Sequence, residues 1–258
     1  MTRLSTMQLP DGRSVAQISR PETALIFREI FENRCYLPAD FSLGGGDVVL
    51  DVGANIGMAA LFFLDQRPDV VVYAIEPAPA LQDALRRNLD IFGDRARIRT
   101  SAISAHEGRG MFTYYPESPA ASGLHGNPEA DAERTRRYIE ARGVPSNFAV
   151  RMLAGRYRCE RFTCELVTLS GFLDEEEIDQ VALLKLDCEG SELDALLGIR
   201  SEHWRRIRQV VAEVDCQSDR LEAVTTLLED HGFVVRVSST AQLEGTGLRM
   251  VYASRPGP

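Results

Sequence analysis

Three groups of residues in the 258-residue sequence have types and spacings that could carry chemistry. The first is the run Asp51-Val52-Gly53-Ala54-Asn55-Ile56-Gly57. Gly53 permits a sharp turn, and Gly57 lets a following helix pack close while the chain passes a ligand. Loops that hold a dinucleotide use G-x-G-x-x-G, so that backbone amides can approach a pyrophosphate at the helix N-terminus. Here the middle glycine is absent and Ala54-Asn55 stands in its place. Asp51, ending the strand, is unfavourable beside phosphates but suits a sulfonium-bearing amino acid. Its plainer role is a carboxylate that caps a helix or orders the loop.

The second group is Glu76-Pro77, followed downstream by Ser101-Ala102-Ile103. A carboxylate ending the second strand can accept hydrogen bonds from both hydroxyls of a ribose; the plainer reading is a solvated charge. Backbone groups of Ser101 and Ala102, ending the third strand, can meet an adenine edge. Glycine loop, carboxylate and adenine strand, in that order, imply S-adenosylmethionine. The residues expected to bind it are Asp51, Gly53, Ala54, Asn55, Gly57, Glu76, Pro77, Ser101 and Ala102.

The third group is Lys185, Asp187, Glu189 and Glu192, within LLKLDCEGSE (183–192), and Lys185 is the only lysine in the chain. Alternation puts Lys185, Asp187 and Glu189 on one face if the strand persists. A lone ammonium among apolar neighbours needs a carboxylate partner, and two are at hand. The plainer reading is a structural Lys185–Glu189 ion pair, with Glu192 capping the next helix. Methyl transfer to a hydroxyl requires that its proton be removed and its oxygen be aligned. Asp187 is the first candidate for that task. Glu213, ending the fifth strand, and His125 come next, although His125 also reads as an ordinary loop histidine. The carboxylates could hold Mg²⁺, but nothing fixes a third ligand, so no metal is expected.

The elements that must position these groups follow from periodicity. Residues 9–15 place an Asp-Gly turn between apolar residues, as in a small hairpin or edge strand. Residues 22–36 carry Leu25, Ile26, Ile30 and Phe31 at helical spacing, predicting a helix that ends near Arg34. Strands are expected at 47–52, 70–75, 96–102, 181–186 and 208–214, with another extended run at 110–115. Helices are expected at 58–64, 80–92, 191–197 and 221–231, and residues 233–238 and 248–253 read as a final antiparallel pair. This alternation predicts an α/β fold: a doubly wound, Rossmann-like, mostly parallel sheet with one antiparallel C-terminal strand. Such sheets bind ligands beyond the strand C-termini, where the strand order reverses. Residues 1–258 read as a single domain with an N-terminal helical segment at 1–43. The stretch 125–165 breaks the rhythm, with eight arginines against six acidic residues and a helix at 129–142. It reads as an inserted cap, either a solvated charged face or a lid over the acceptor site. Its Arg151, Arg156, Arg158 and Arg161 could also steer an acidic partner such as a carrier protein. Trp204 reads as packing.

Composition bounds the function. A net charge of −9 argues against general nucleic-acid binding, which needs a basic face. Five cysteines, an odd number, fit reduced thiols better than a disulfide framework. Cys159 and Cys164 lack the second pair that zinc requires. No apolar run approaches the ~18 residues of a membrane span, and residues 1–10 lack a basic-then-apolar leader. A cytoplasmic protein without membrane partners is expected. An NAD-dependent oxidoreductase is a rival reading, opposed by the missing glycine and the absence of a Tyr-x-x-x-Lys pattern. A non-catalytic nucleoside-binding module is another.

The strings DVGANIG (51–57), AIEPAP (74–79) with Asn88 downstream, and LLKLDCEGSE (183–192) resemble the FkbM-like methyltransferase family. The resemblance runs from about Phe27 to Ser254. REIFENRCYL (28–37), SGLHG (122–126), WRRIRQVVAEV (204–214) and GTGLRMV (245–251) are most similar to its stand-alone enzymes that O-methylate macrolide polyketides. The resemblance implies a class I methyltransferase fold, S-adenosylmethionine as donor and most often an oxygen acceptor. It points to a small polyketide or related specialised metabolite, free or carrier-bound, as in antibiotic biosynthesis. N- or C-methylation, or a sugar acceptor, are the alternatives within the class. It also implies that Tyr36 closes over the cofactor, where a core aromatic is the plainer reading. The oligomeric state is left open.

Overall fold

A computed structural model describes residues 4–216, 219–238 and 247–256. Gly245 and Thr246 of the 245–251 string lie outside these residues, as do residues 1–3 of the N-terminal segment. The chain opens on a hairpin, β1 (Ser5–Gln8) and β2 (Ser14–Gln17), with Asp11-Gly12 in the turn. Helix α1 (Arg20–Phe27) has Pro21 in its first turn and runs on through a π-helical turn at Arg28–Glu32. The helix stops there because Arg34 turns to φ +52°.

The central elements follow as β3 (Val48–Val52), α2 (Met58–Leu64), β4 (Val71–Ile75), α3 (Pro79–Leu89) and β5 (Ala96–Arg99). A small sheet interrupts them, built from β6 (Ala102–Ile103), β7 (Gly108–Tyr114) and β8 (Glu160–Val167). Helices α4 (Pro128–Ala141) and α5 (Ser146–Leu153) lie between β7 and β8, and α6 (Leu169–Glu175) follows. The chain then returns through β9 (Leu183–Leu186), α7 (Glu192–Leu197), β10 (Gln209–Asp215), α8 (Arg220–Asp230), β11 (Val234–Ser238) and β12 (Leu248–Ser254).

The seven-stranded sheet has the order β11-β12-β10-β9-β3-β4-β5. Pairings β4–β5, β3–β4, β3–β9 and β9–β10 are parallel, and β12 runs antiparallel to both β10 and β11. This is the class I methyltransferase topology. Strands are near-continuous apolar runs because helices cover both faces. Successive side chains alternate between faces: Val49, Leu183 and Val211 join one core layer, and Leu50, Leu184 and Val210 the other. The first layer packs against α2, α3 and the N-terminal helix through Phe63, Leu85 and Phe27; the second takes Phe172, Leu196 and Leu228 from α6, α7 and α8. Trp204 is part of that second layer and stacks on His231. Among the described residues no helix is long and apolar enough to cross a membrane.

Two expectations need correction. The third strand does not run to Ala102, because β5 leaves the main sheet after Arg99. Ala102 and Ile103 pair instead with Leu166 and Val167 of β8. The cap is also smaller than 125–165. Its last residues belong to β8, which pairs antiparallel with β7 from Tyr114↔Glu160 to Gly108↔Leu166. The inserted part is therefore a pair of helices at the tip of a β-hairpin. Asn127 starts it, its Oδ1 accepting from the backbone N–H of Glu129 and Ala130 ahead of Pro128 in the first turn.

Candidate active site

Strand order reverses between β3 and β9, so loops leaving their C-terminal ends diverge and leave a crevice. Gly53 sits at its floor with φ +78°, and a Cβ there would lie 1.8 Å from the carbonyl oxygen of Asp187. Only glycine satisfies both the angle and the approach. The backbone N–H groups of Gly53 and Ala54 both donate to Ile75 O, at 3.0 and 3.1 Å. Asn55 follows at φ +53°, a left-handed position that asparagine tolerates better than most residues.

Glu76 is fixed by this loop. Asn55 N donates to Oε2 at 3.0 Å and Ala78 N to Oε1 at 2.8 Å. The side chain is buried, and burial pushes its carboxyl up to about 7 despite these two donors. Asn88 secures the other side of the loop. Its Nδ2 donates to Ile56 O and Ala16 O, and its Oδ1 accepts from Ala16 N. Asn88, downstream of the 74–79 string, gives no sign in the sequence of this clamp, which joins the N-terminal hairpin to the glycine loop.

Above the loop lies a cavity open to solvent. At the β4–β5 end it is lined by Ala54, Asn55, Glu76, Pro77, Ser101 and Ala102, and at the β9–β10 end by Tyr36, Lys185, Asp187, Glu189 and Glu213, with Gly53 between the two. Asp51 and Gly57, expected to touch the cofactor, do not line it. Gly57 turns at φ +89° where a Cβ would meet Leu85 at 2.9 Å, so it serves the contact between α2 and α3. Asp51 is wholly buried, with its carboxylate against Lys185 of the neighbouring strand.

Asp51 explains Lys185. The two are register partners on adjacent parallel strands, and Lys185 Nζ stands 2.9 Å from Asp51 Oδ1 and 3.9 Å from Asp187 Oδ2. Nζ also donates to the carbonyls of Gly53 at 2.9 Å and Val52 at 3.2 Å. Burial alone would lower the ammonium's pKa; the Asp51 and Asp187 charges hold it above its ordinary value. The Lys185–Glu189 ion pair of the plainer reading is therefore replaced by Lys185–Asp51. The strand ends at Leu186, and Glu189 turns to φ +52°, which carries its side chain away from Lys185. Glu192 Oε1 accepts from Cys188 N at 3.0 Å and Gly190 N at 3.1 Å, closing the loop after β9.

Tyr36 Oη donates to Asp187 Oδ2 at 2.6 Å, and the Tyr36 ring centroid lies 5.2 Å from Lys185 Nζ. Burial, then the Asp187 charge, holds the Tyr36 phenol protonated well above its usual range. Glu213, on β10, faces the same end, and burial followed by the Asp187 charge raises its carboxyl well above the ordinary range. Glu29 joins them from the π-helical turn, pushed up to about 7 by burial and then by Asp187. The sequence offered no signal for Glu29, since an α-helical reading does not reveal a π turn. His125 does not line this cavity. It lies in a neighbouring chamber, with Nε2 2.6 Å from Asp194 Oδ2.

The donor set fits a nucleoside-bearing cofactor. Glu76 keeps unused lone pairs for a ribose diol. Ser101 Oγ, at that same end, is buried without a hydrogen-bond partner. Buried hydroxyls are seldom left unmet unless a ligand or water completes them.

The chain is similar to known methyltransferases. A family model described as the methyltransferase FkbM domain matches residues 51–235. The chain is 38% identical over 253 residues to the 31-O-demethyl-FK506 methyltransferase FkbM of Streptomyces tacrolimicus, covering 98% of this chain and 97% of that protein. It is 33% identical over 234 residues to the methyltransferase sdnD of Sordaria araneosa, covering 86% of each. It is also 33% identical over 264 residues to the AMB antimetabolite synthetase AmbE of Pseudomonas aeruginosa, covering 97% of this chain and 12% of that protein.

Proposed function

The chain belongs to the FkbM methyltransferase family, and from that premise we propose that it transfers the methyl group of S-adenosylmethionine to a hydroxyl oxygen of a small polyketide-like metabolite. One observation supports this reading above others: a single cavity carries the fixed Glu76 carboxylate at one end and the Tyr36–Asp187 pair at the other. The oxygen acceptor is further supported by the name of the Streptomyces relative, which specifies an O-demethyl compound.

Glu76 would receive the two ribose hydroxyls, with Ser101 and Ala102 toward the adenine and the 53–55 loop beneath the amino-acid portion. When bound, S-adenosylmethionine supplies an electrophilic methyl group. The protein's own part is to align the acceptor and take its proton. Tyr36 Oη occupies one oxygen of Asp187, leaving Oδ1 to accept the hydroxyl proton. Lys185 anchors the strand end on which Asp187 sits. Burial raises the carboxyls of Glu29, Glu189 and Glu213, which favours their neutral forms beside Asp187 and lessens the repulsion it meets.

Glu76→Ala should weaken S-adenosylmethionine binding by about 2–3 kcal/mol, as expected for a charged hydrogen-bond acceptor. Isothermal calorimetry on the folded variant, with NAD as the competing ligand, decides it. An unchanged dissociation constant would remove Glu76 from the site, and preference for NAD would overturn the cofactor.

A pH dependence follows from the same residue. Its carboxyl sits at about 7 in the free protein, and only the ionised form accepts from two hydroxyls. Affinity should therefore fall as pH drops below 7, by about tenfold per unit at most. Glu76→Gln should bind weakly at every pH and lose that slope. A slope that survives in Glu76→Gln would assign the titration elsewhere.

A further inference from the structure

One stretch of chain spans the cofactor cavity from side to side. After β7 the chain makes a 3₁₀ turn at Pro119–Ala121 and comes back beside that strand, where Thr113 and Gly123 exchange backbone hydrogen bonds of 3.0 and 3.1 Å. Pro119, Ala120, Ser122 and Leu124 line the cavity. One end of the stretch meets α1, because the Glu22 carboxylate accepts from the backbone N–H of Ala120. The other end meets the loop after β9: a Cβ on Gly123 would lie 3.0 Å from Glu189 O and 3.3 Å from Cys188 O. Residues 118–124 are therefore a strap laid from the N-terminal helix to the loop that follows Asp187.

Arg156, in the segment after α5, fastens the α1 end. Its Nε donates to Ser118 Oγ at 2.7 Å, and its Nη2 stands 3.7 Å from Glu22 Oε1. Ser118 is buried, and its backbone N–H donates to Tyr115 O at 3.0 Å. Tyr115 N in turn donates to Ser122 Oγ at 3.0 Å, which carries the constraint along the strap. The two ends are held differently. Gly123 is fixed by backbone contacts, whereas the α1 end hangs on the side chains of Glu22, Ser118 and Arg156. Glu22 itself faces Arg156, the N–H of Ala120 and Glu117; burial pushes its carboxyl up to about 7, and the Arg156 charge opposes that rise. Glu22 lines the cavity and Arg156 does not, so any effect of Arg156 on a bound molecule passes through Glu22 and the strap.

We propose that Arg156 is a positioning residue for methyl transfer: by pinning Ser118 and Glu22 it holds the 118–124 strap over the bound cofactor, and so sets how fast S-adenosylhomocysteine leaves. The assignment rests on the S-adenosylmethionine reading above. A segment that closes a site must open again for product to depart, and such openings limit turnover in many enzymes. The α1 end is the one that opens, since it can be released by side-chain movement alone.

The test is stopped-flow displacement of S-adenosylhomocysteine from the full chain at pH 8, with association measured on the same preparation. Arg156→Met loses a charge-assisted hydrogen bond and an ion pair, and should raise the dissociation rate by about tenfold or more. Association should be unchanged or faster. Arg156→Lys keeps a cation for Glu22 and should recover part of that change. Ser118→Ala removes one of the two anchors and should speed dissociation by about threefold. A pH comparison separates positioning from general weakening. Glu22 is ionised above about 7 and takes up a proton below it, so the wild-type latch should itself loosen as pH falls. The ratio of Arg156→Met to wild-type dissociation rates should therefore shrink to about threefold or less at pH 6. Glu76 is present in both proteins, and its titration cancels from that ratio. Unchanged dissociation in Arg156→Met or in Ser118→Ala overturns the proposal. So does a ratio that is the same at both pH values, or an Arg156→Lys protein as fast as Arg156→Met. Failure of the wild type to bind S-adenosylhomocysteine at all would instead sink the cofactor reading, and this one with it.

Discussion

Asp187→Asn should lower turnover by about 10²–10⁴-fold, the cost of losing a general base, while S-adenosylmethionine affinity stays within about threefold. The substitution keeps the size of the side chain and an oxygen that Tyr36 Oη can still reach, so the geometry at 2.6 Å should survive. What disappears is the capacity to take the acceptor's proton. Cofactor affinity is spared because the residues assigned to ribose and adenine, Glu76, Ser101 and Ala102, lie at the opposite end of the cavity. Calorimetry and initial rates on one preparation check both halves of this expectation. An Asp187→Asn enzyme with the original rate would show that the acceptor needs no base here. A loss of cofactor binding equal to the loss of rate would make Asp187 a cofactor residue.

The second large effect concerns stability. Lys185→Met should cost about 3–5 kcal/mol, because it leaves the Asp51 carboxylate wholly buried and without its countercharge. For a chain of this size, that is a fall in melting temperature of roughly 6–10 °C. The mechanism has a built-in check. Replacing both members, as Lys185→Met with Asp51→Leu, should recover most of the loss, since an apolar pair of similar volume avoids the desolvation that the ions suffer. Thermal and denaturant unfolding of wild type, both single variants and the double variant complete the cycle. A Lys185→Met protein as stable as wild type would mean that Asp51 takes up a proton or finds water. A double variant no better than the singles would place the stabilisation outside the pair.

That pair also marks where sequence reading loses its hold. Residues 58–64 read as a helix from their apolar spacing, and α2 occupies Met58–Leu64 because that segment packs against the sheet on one side and α3 on another. Local patterns are legible because local sterics and burial enforce them. The Lys185–Asp51 contact is set by the parallel register of β3 and β9, which aligns residues 134 positions apart. Short-range alternation pointed Lys185 at Glu189 instead, and the backbone turn after Leu186 removed that option. Ser101 and Ala102 show the reverse case. Their strand assignment was wrong, because β5 ends at Arg99, yet both residues line the cavity, because the chain must cross the C-terminal edge to reach the small sheet. Glu29 was invisible for a third reason: a π turn has no compositional signature, and its extra residue alters which side chains face inward.

The cap enters at Tyr114 and leaves at Glu160, two residues paired directly across a β-hairpin. Swapping one pair of helices for another of different length or polarity therefore changes no strand register and none of the Glu76 or Lys185 contacts. The segment before those helices is different, because Pro119, Ala120, Ser122 and Leu124 line the cavity that also holds Glu76 and Asp187. A graft between homologues that is to leave the cavity lining alone is therefore confined to the two helices, Pro128–Ala141 and Ser146–Leu153, none of whose residues line it.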